Sequence, residues 1–547
     1  MPINFLPLRR AFCIAFFTSA VLGIPAFAQV HKHSAAESGK VDFTIKCSTQ
    51  AQAEFALGIT LLHHMTYPQA RQAFSRAASA DPKCGMAYWG IAMSLFQPLW
   101  PTRPGPEALQ QGWDLVQKAK EMPASNERER ALILAAEAFF LEPASPDYWL
   151  RIHRWEKALE EAHRSLPDDQ EIGAFYALSH LAVSPADKIS RENADRAAKI
   201  LFTVYGRNPD HPGAMHYLVH ANDVPGRERE LLEITRKYDT AAPRNPHALH
   251  MPTHIYTRLG DWDAVIEGNA RAAEAALEHP AGDRGQFVWD EFPHAIEYLV
   301  YAHLQKGADD KAAAEIKRLR ETARLEPSFK TAFHLASTRS RYVLERKAWD
   351  EAIVVKLPDE ITVDWAKFAW PEAVIRFTQG LGAARTRKSA DAEKMISRLR
   401  ELEAHTDKAG EKLFARSIQV MRLELEAWTA HFAGERDRSL SLMREAVAVE
   451  TATPKHAVTP GPTIPAFELL GDLLMEQGQW AAALAAYKQS AELYPKRFNT
   501  LLGAAQAADK SGDRAAARVF YQELIGSAGT GTRKIALDEA RTYLRKG

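Results

Sequence analysis

Residues 51–82 read AQAEFALGITLLHHMTYPQARQAFSRAASADP. Small residues stand at Gly58, Ala70 and Ala77, an aromatic at Phe74, and a proline closes the stretch at Pro82. Small side chains let two helices approach closely, and an aromatic fills the gap beside them. Proline ends a helix because its ring clashes with the preceding turn. The stretch therefore predicts a helix–turn–helix pair. A second unit opens near Gly85 with AYWGIAMSLF and runs into PLWPTRPGP, residues 98–106, too rich in proline to be helical. The C-terminus repeats the arrangement, with Phe467, Leu470, Gly471, Leu474, Ala483, Tyr487 and Pro495, then Ala505, Ala517 and Tyr521.

Counted from Ala51 at one end, and from Ile464 and Phe498 at the other, these residues fall on the positions of the tetratricopeptide (TPR) repeat pattern. The chain resembles the TPR superfamily at both ends. FALGITLLHHMTYPQARQAFSRAASADPKCGMAYWGIAMSLFQPLW and NPHALHMPTHIYTRLGDWDAVIEGN are similar to a group of exported bacterial TPR proteins. That resemblance implies an all-α fold, a TPR-type α-solenoid, and export; it implies no reaction. The pattern weakens in the middle, and residues 100–170 and 340–460 read as helical without a fixed repeat register. No stretch alternates like a sheet. At about 40 residues per hairpin, roughly eight to eleven hairpins are expected. The expected organisation is a signal peptide over 1–28, a polar tail over 29–44, N-terminal repeats over 45–165, central repeats over 166–345, a helical region over 346–460 and a C-terminal repeat pair over 461–547.

The chain has 547 residues, 46% apolar and 25% charged, with zero formal net charge. That balance points away from nucleic acid as a partner. Arg9 and Arg10 precede an apolar run ending in Ala26-Phe27-Ala28, a leader with a small-x-small cleavage pattern. Removing two arginines and no acid takes the net charge from zero to about −2. The run is short for a membrane span, so no stable span is expected after cleavage, and the location is exported, periplasmic or extracellular. Cys13 leaves with the leader; Cys47 and Cys84 remain, flanking the first repeat. In an oxidising compartment they are expected to join, a closure worth about 4 kcal/mol by chain entropy.

The central region, HPGAMHYLVHANDVPGRERELLEITRKYDTAAPRNPHALHMPTHIY from His211 to Tyr256, holds six of the twenty histidines. His216 and His220 are four apart, as are His250 and His254, and the pairs are offset by 34 residues. Residues four apart share a helix face. Repeats opening at Pro212, Pro246 and Pro293 put His216, His220, His247, His250, His254, His294, Glu297 and Tyr301 on the positions that line the concave groove in TPR proteins. His63 falls on a groove position of the first unit. Pro252 argues against that register, because it falls inside a helix, between His250 and His254.

Two chemistries stay open. His216, His220, His250 and His254, supplemented by His247, His294, Glu297 and Asp223, could hold a transition metal such as copper, zinc or iron, since imidazole suits all three and no cysteine is near. Alternatively the imidazoles could hydrogen-bond a protein, peptide or small anion in the groove. HExxH, GxSxG and phosphate-loop motifs are absent. A second metal candidate is the mature N-terminus, Gln29-Val30-His31 with His33, a set suited to Cu(II) or Ni(II). Trp89, Met93 and Phe96 read as core or groove wall, and Trp365, Phe368 and Trp370 as a helix junction. The stiff loop 453–465 brings His456 to the groove only if it folds back. The resulting expectation is an exported scaffold with a histidine-lined groove for a protein, a peptide or a metal ion; the alternative is a metal-dependent enzyme, redox or hydrolytic, in a TPR shell.

Overall fold

The computed structural model of the chain describes residue 1 and residues 41–546, apart from 101, 184–187 and 283. The leader, and the N-terminal set at Gln29, His31 and His33, lie outside those residues. The described helices belong to the unit His33–Gly547. Twenty-six helices are described; with Pro246–His250 and Pro252–Leu259 taken as one broken helix and the last, Lys534–Lys546, left over, they make twelve successive hairpins. The count exceeds the expected eight to eleven because many turns are tight: only His64, Met65 and Thr66 separate Thr49–His63 from Tyr67–Ala80. The fold is an all-α helical repeat. The strands described are two short ones, Pro280–Ala281 paired with Phe287–Val288.

The glycine–aromatic pattern has a direct geometric cause. A Cβ on Gly58 would lie 2.7 Å from the Phe74 ring, and one on Gly90, in the next hairpin, 2.3 Å from the same ring. Tyr487 sits in the same way between Gly471 and Gly503, at 2.6 and 2.4 Å. In these two hairpins an aromatic on the second helix thus fills a slot between two successive first helices, and glycine leaves room for it. Cys47 and Cys84 are joined in a disulfide with Cα atoms 5.3 Å apart, bracketing the first hairpin. Trp89, Met93 and Phe96 are core. Among the described residues no helix is long and apolar enough to cross a membrane.

Four consecutive first helices position the histidines. They are Pro212–Asn222, the broken Pro246–His250 and Pro252–Leu259, Glu291–Gln305, and Phe329–Glu345. Their starts are specified locally. The His211 side chain accepts from Ala214 N, and Asn245 accepts from Ala248 N, so each caps a helix that opens on proline. Pro252 does break its helix, at Met251. The break is shallow, because Met251 N still bonds His247 O and His254 N bonds Met251 O. Pro293 lies in the first turn of a helix that begins two residues earlier, where its missing N–H removes no helical bond.

The histidine face is not an open groove. His216, His247, His250, His254 and His294 are all buried, and only His220 is partly exposed. Three segments cover them. The helix Thr49–His63 reaches His216 through the His63 carbonyl, at 2.6 Å. The loop 98–106 lays Trp100 against the rings of His247 and His294. The loop 453–465 folds back: Arg341 donates to the carbonyls of Gly461 and Pro462, and Lys455 pairs with Asp223 at 2.7 Å. An unsheathed histidine surface for a peptide is therefore replaced by a covered histidine core. Burial of so many uncompensated imidazoles is the observation that needs a chemical account.

Candidate metal centre

The imidazoles gather in two adjoining triads. His216, His220 and His247 form one, and His250, His254 and His294 the other; within each, ligand-capable atoms lie within 4.8 Å of one another. In the first, His216 Nε2 is 3.1 Å from His220 Nε2 and 3.2 Å from His247 Nε2. In the second, His250 Nε2 is 3.0 Å from His254 Nε2, and the His250 and His294 rings are 4.1 Å apart. Ring contacts of 5.9 Å, His220 to His254 and His247 to His250, join the triads.

The other ring nitrogens decide what these contacts are. His216 Nδ1 donates to the His63 carbonyl. His247 Nδ1 donates to the Glu291 carboxylate at 3.0 Å, and His254 Nδ1 to Asp223 at 2.8 Å. His250 Nδ1 donates to Asn269 Oδ1 at 2.7 Å, an amide whose NH2 is oriented by the Val265 carbonyl. Carbonyls and carboxylates only accept, so each Nδ1 carries the proton and each Nε2 of a neutral ring presents a bare lone pair. His216 against His247, and His250 against His254, are then two acceptors face to face. Only a cation between them makes the contact favourable.

A proton is the first cation to weigh. Burial, reinforced by the neighbouring imidazoles, holds His216, His220, His250 and His294 well below the ordinary histidine range. Burial takes His254 down to about 4, although Asp223 pulls the other way. An extra proton on those five rings is thus disfavoured near neutral pH. A metal ion fits: two nitrogens each about 2.0–2.1 Å from one ion, at tetrahedral to octahedral angles, lie about 2.9–3.4 Å apart. Carboxylate, amide or carbonyl partners on the far nitrogen are the usual outer support of metal-binding histidines. His294 adds a second sign, since both its ring nitrogens are buried without a hydrogen-bond partner, as is the Tyr298 hydroxyl beside it.

A third cluster, His63, Glu171 and His211, shows the contrast. His211 Nδ1 accepts from a backbone N–H, leaving Nε2–H to donate to Glu171 at 3.1 Å. His63 Nε2–H donates to Glu171 at 2.9 Å, and Nδ1 accepts from the Tyr217 hydroxyl at 3.1 Å. Every nitrogen has a complementary partner, so this is a closed hydrogen-bond network with no need of an ion. Spacing alone does not separate the clusters; tautomers do.

No protein-family model matches the chain, and no curated protein does. Among solved structures the chain is similar to one in the APC/C hetero-tetramer Cut9–Hcn1, with TM-score 0.32 and 12% identity over 90% of each chain. It is also similar to yeast Tom70, with TM-score 0.28 and 10% identity over 91% of this chain and 96% of that one. Scores of this size say nothing of ligand or partner.

The structure thus brings together His216, His220, His247, His250, His254 and His294. Glu297 stands apart from both triads. Its carboxylate accepts from His334 Nδ1 at 2.5 Å and Ser337 at 2.6 Å, and pairs with Arg341, so it orients a neighbour instead of ligating. Asp223 likewise takes an outer place, holding His254, Arg258 and Lys455. His334 escaped the sequence reading. Its Nε2 is buried and unpartnered, and its ring is 4.7 Å from His294. The signal was there: His254, His294 and His334 are spaced by 40, one per successive hairpin.

Proposed function

We propose that this protein is a transition-metal-binding helical-repeat protein that holds two ions side by side, one on His216, His220 and His247 and one on His250, His254 and His294. The observation that carries this reading is the pair of face-to-face acceptor contacts whose far nitrogens are all committed as donors. The donor set is entirely imidazole, which suits copper, zinc or iron. An exported, oxidising location belongs to the same reading; the leader pattern and the Cys47–Cys84 disulfide support it.

The test is elemental analysis of protein purified from its source, or of apo-protein reloaded with each metal separately. Close to two ions per chain are expected for wild type. His216→Ala and His250→Ala should each lose about one, with unchanged far-UV circular dichroism. A wild-type chain that stays metal-free after reconstitution with copper, zinc and iron would falsify the reading.

A further inference from the structure

The two triads differ in access. A cavity of about 610 Å³ reaches the first of them, and His220 is the triad histidine in its wall. His250, His254 and His294 are buried behind it, against Tyr298. Trp149, Phe414, Leu413 and Tyr494 make much of the cavity wall apolar. Its charged floor is unbalanced. Arg258 and Lys455 both face the single carboxylate of Asp223, at 2.8 and 2.7 Å. Glu450, in the same wall, is pushed up to about 8 by burial, so it adds no negative charge at neutral pH. Arg103 and Glu411, also in the wall, cancel each other.

Resting on the two-ion reading, we infer that the ion on His216, His220 and His247 keeps an open coordination position facing this cavity, and that the cavity admits a small organic monoanion, a carboxylate with an apolar body, which binds that ion through its carboxylate oxygen. Three neutral imidazoles leave a four-coordinate ion one ligand short, and they supply no negative charge, so an anion is the complementary fourth ligand. The excess positive charge beside Asp223 attracts the same group. The apolar walls take up the rest of the molecule. The second triad is closed, with His334 against His294 and Tyr298 against His250 and His254, so it serves as a fixed partner and not as a binding position.

The experiment uses the full chain loaded with cobalt(II), whose visible absorption reports changes in coordination, and titrates it with benzoate and with benzamide, its uncharged counterpart. A saturable change with benzoate and none with benzamide is expected. Val224→Trp, which fills the cavity from a wall position outside the ligand set, should abolish the benzoate response while cobalt content stays at the wild-type value. Lys455→Met should weaken benzoate roughly tenfold, the loss of one charge-assisted contact. Two bound cobalt ions with no benzoate response overturn this inference and leave the metal reading standing. So does a benzoate response of equal affinity in wild type and in either variant. Failure to bind cobalt at all overturns this inference, and failure with copper, zinc and iron as well overturns the metal reading too.

Discussion

At the scale of single residues, the proposed metal binding turns on which ring nitrogen carries a proton. Asn269 fixes that for His250, and it touches no other triad histidine. Asn269→Leu removes the acceptor while keeping the volume. Affinity at the second triad should fall roughly 10–100-fold, the usual effect of losing an outer partner, with the first triad unaffected. A competition titration with a chromophoric chelator measures both sites; equal loss at both would show that Asn269 acts on folding and not on His250. The pH dependence follows from burial. His216, His220, His250, His254 and His294 are held down in the folded chain, so their neutral forms contribute stability that is complete above the ordinary value of 6.5. It is lost as pH falls through the folded values, of which His254's is about 4. Metal and proton compete for the same nitrogens. The ions should therefore be retained at pH 6 and released as pH approaches about 4, read by metal content after dialysis across that range. Release complete by pH 6 would mean that the imidazoles titrate like exposed ones.

At the scale of helices and hairpins, the slot filled by Phe74 offers the sharpest test. Gly90→Val places a branched side chain where even a Cβ falls 2.3 Å from that ring. The expected cost is about 1–3 kcal/mol by overpacking. Chemical denaturation should show it, with metal content unchanged because no proposed ligand or outer partner stands in the slot. This packing grammar is also why the fold was legible. Gly58, Ala70, Phe74 and Ala77 each answer to a contact made within one hairpin or with the next, so a local pattern suffices. The histidine pairs were legible for the same reason, being four apart on single helices. Their burial was not, because it depends on Trp100 and Lys455, which come from loops far away in the chain. The partners of Glu297 were hidden on similar grounds. Its position on the helix faces inward as expected, but Arg341 and His334, on the next first helix, claim its oxygens. Pro252 shows the opposite error: the break is real, yet one turn of helix on each side keeps His250 and His254 in register.

At the scale of the whole molecule, the ligands of the two proposed ions come from three successive hairpins, and their outer partners from the first hairpin, through His63, and from those same three hairpins, through Asp223, Asn269 and Glu291. Binding to the folded state alone stabilises it by mass action. Stripping the metal with a chelator should lower the midpoint of thermal unfolding. The wild type should show that drop, and a variant with His216, His220, His250 and His254 all changed to Ala should not. An equal drop in both would place the effect elsewhere. Cooperativity should change as well, because the ions tie three successive hairpins together beyond their own packing.

Lys455 reaches back 232 residues to Asp223, and Arg497 lies between Glu345 and Glu468. A chain made from its N-terminus onward has every proposed ligand in hand once residue 294 is formed, yet lacks the covering strap until residue 455 and its anchoring hairpins follow. During that interval the imidazoles lack the cover that the loop 453–465 gives them. Loading is thus a question of timing as much as of affinity: a weakly selective early capture, followed by enclosure, would lock in whichever ion arrived first. The ion that a mature molecule carries would then record the compartment in which its last hairpins closed.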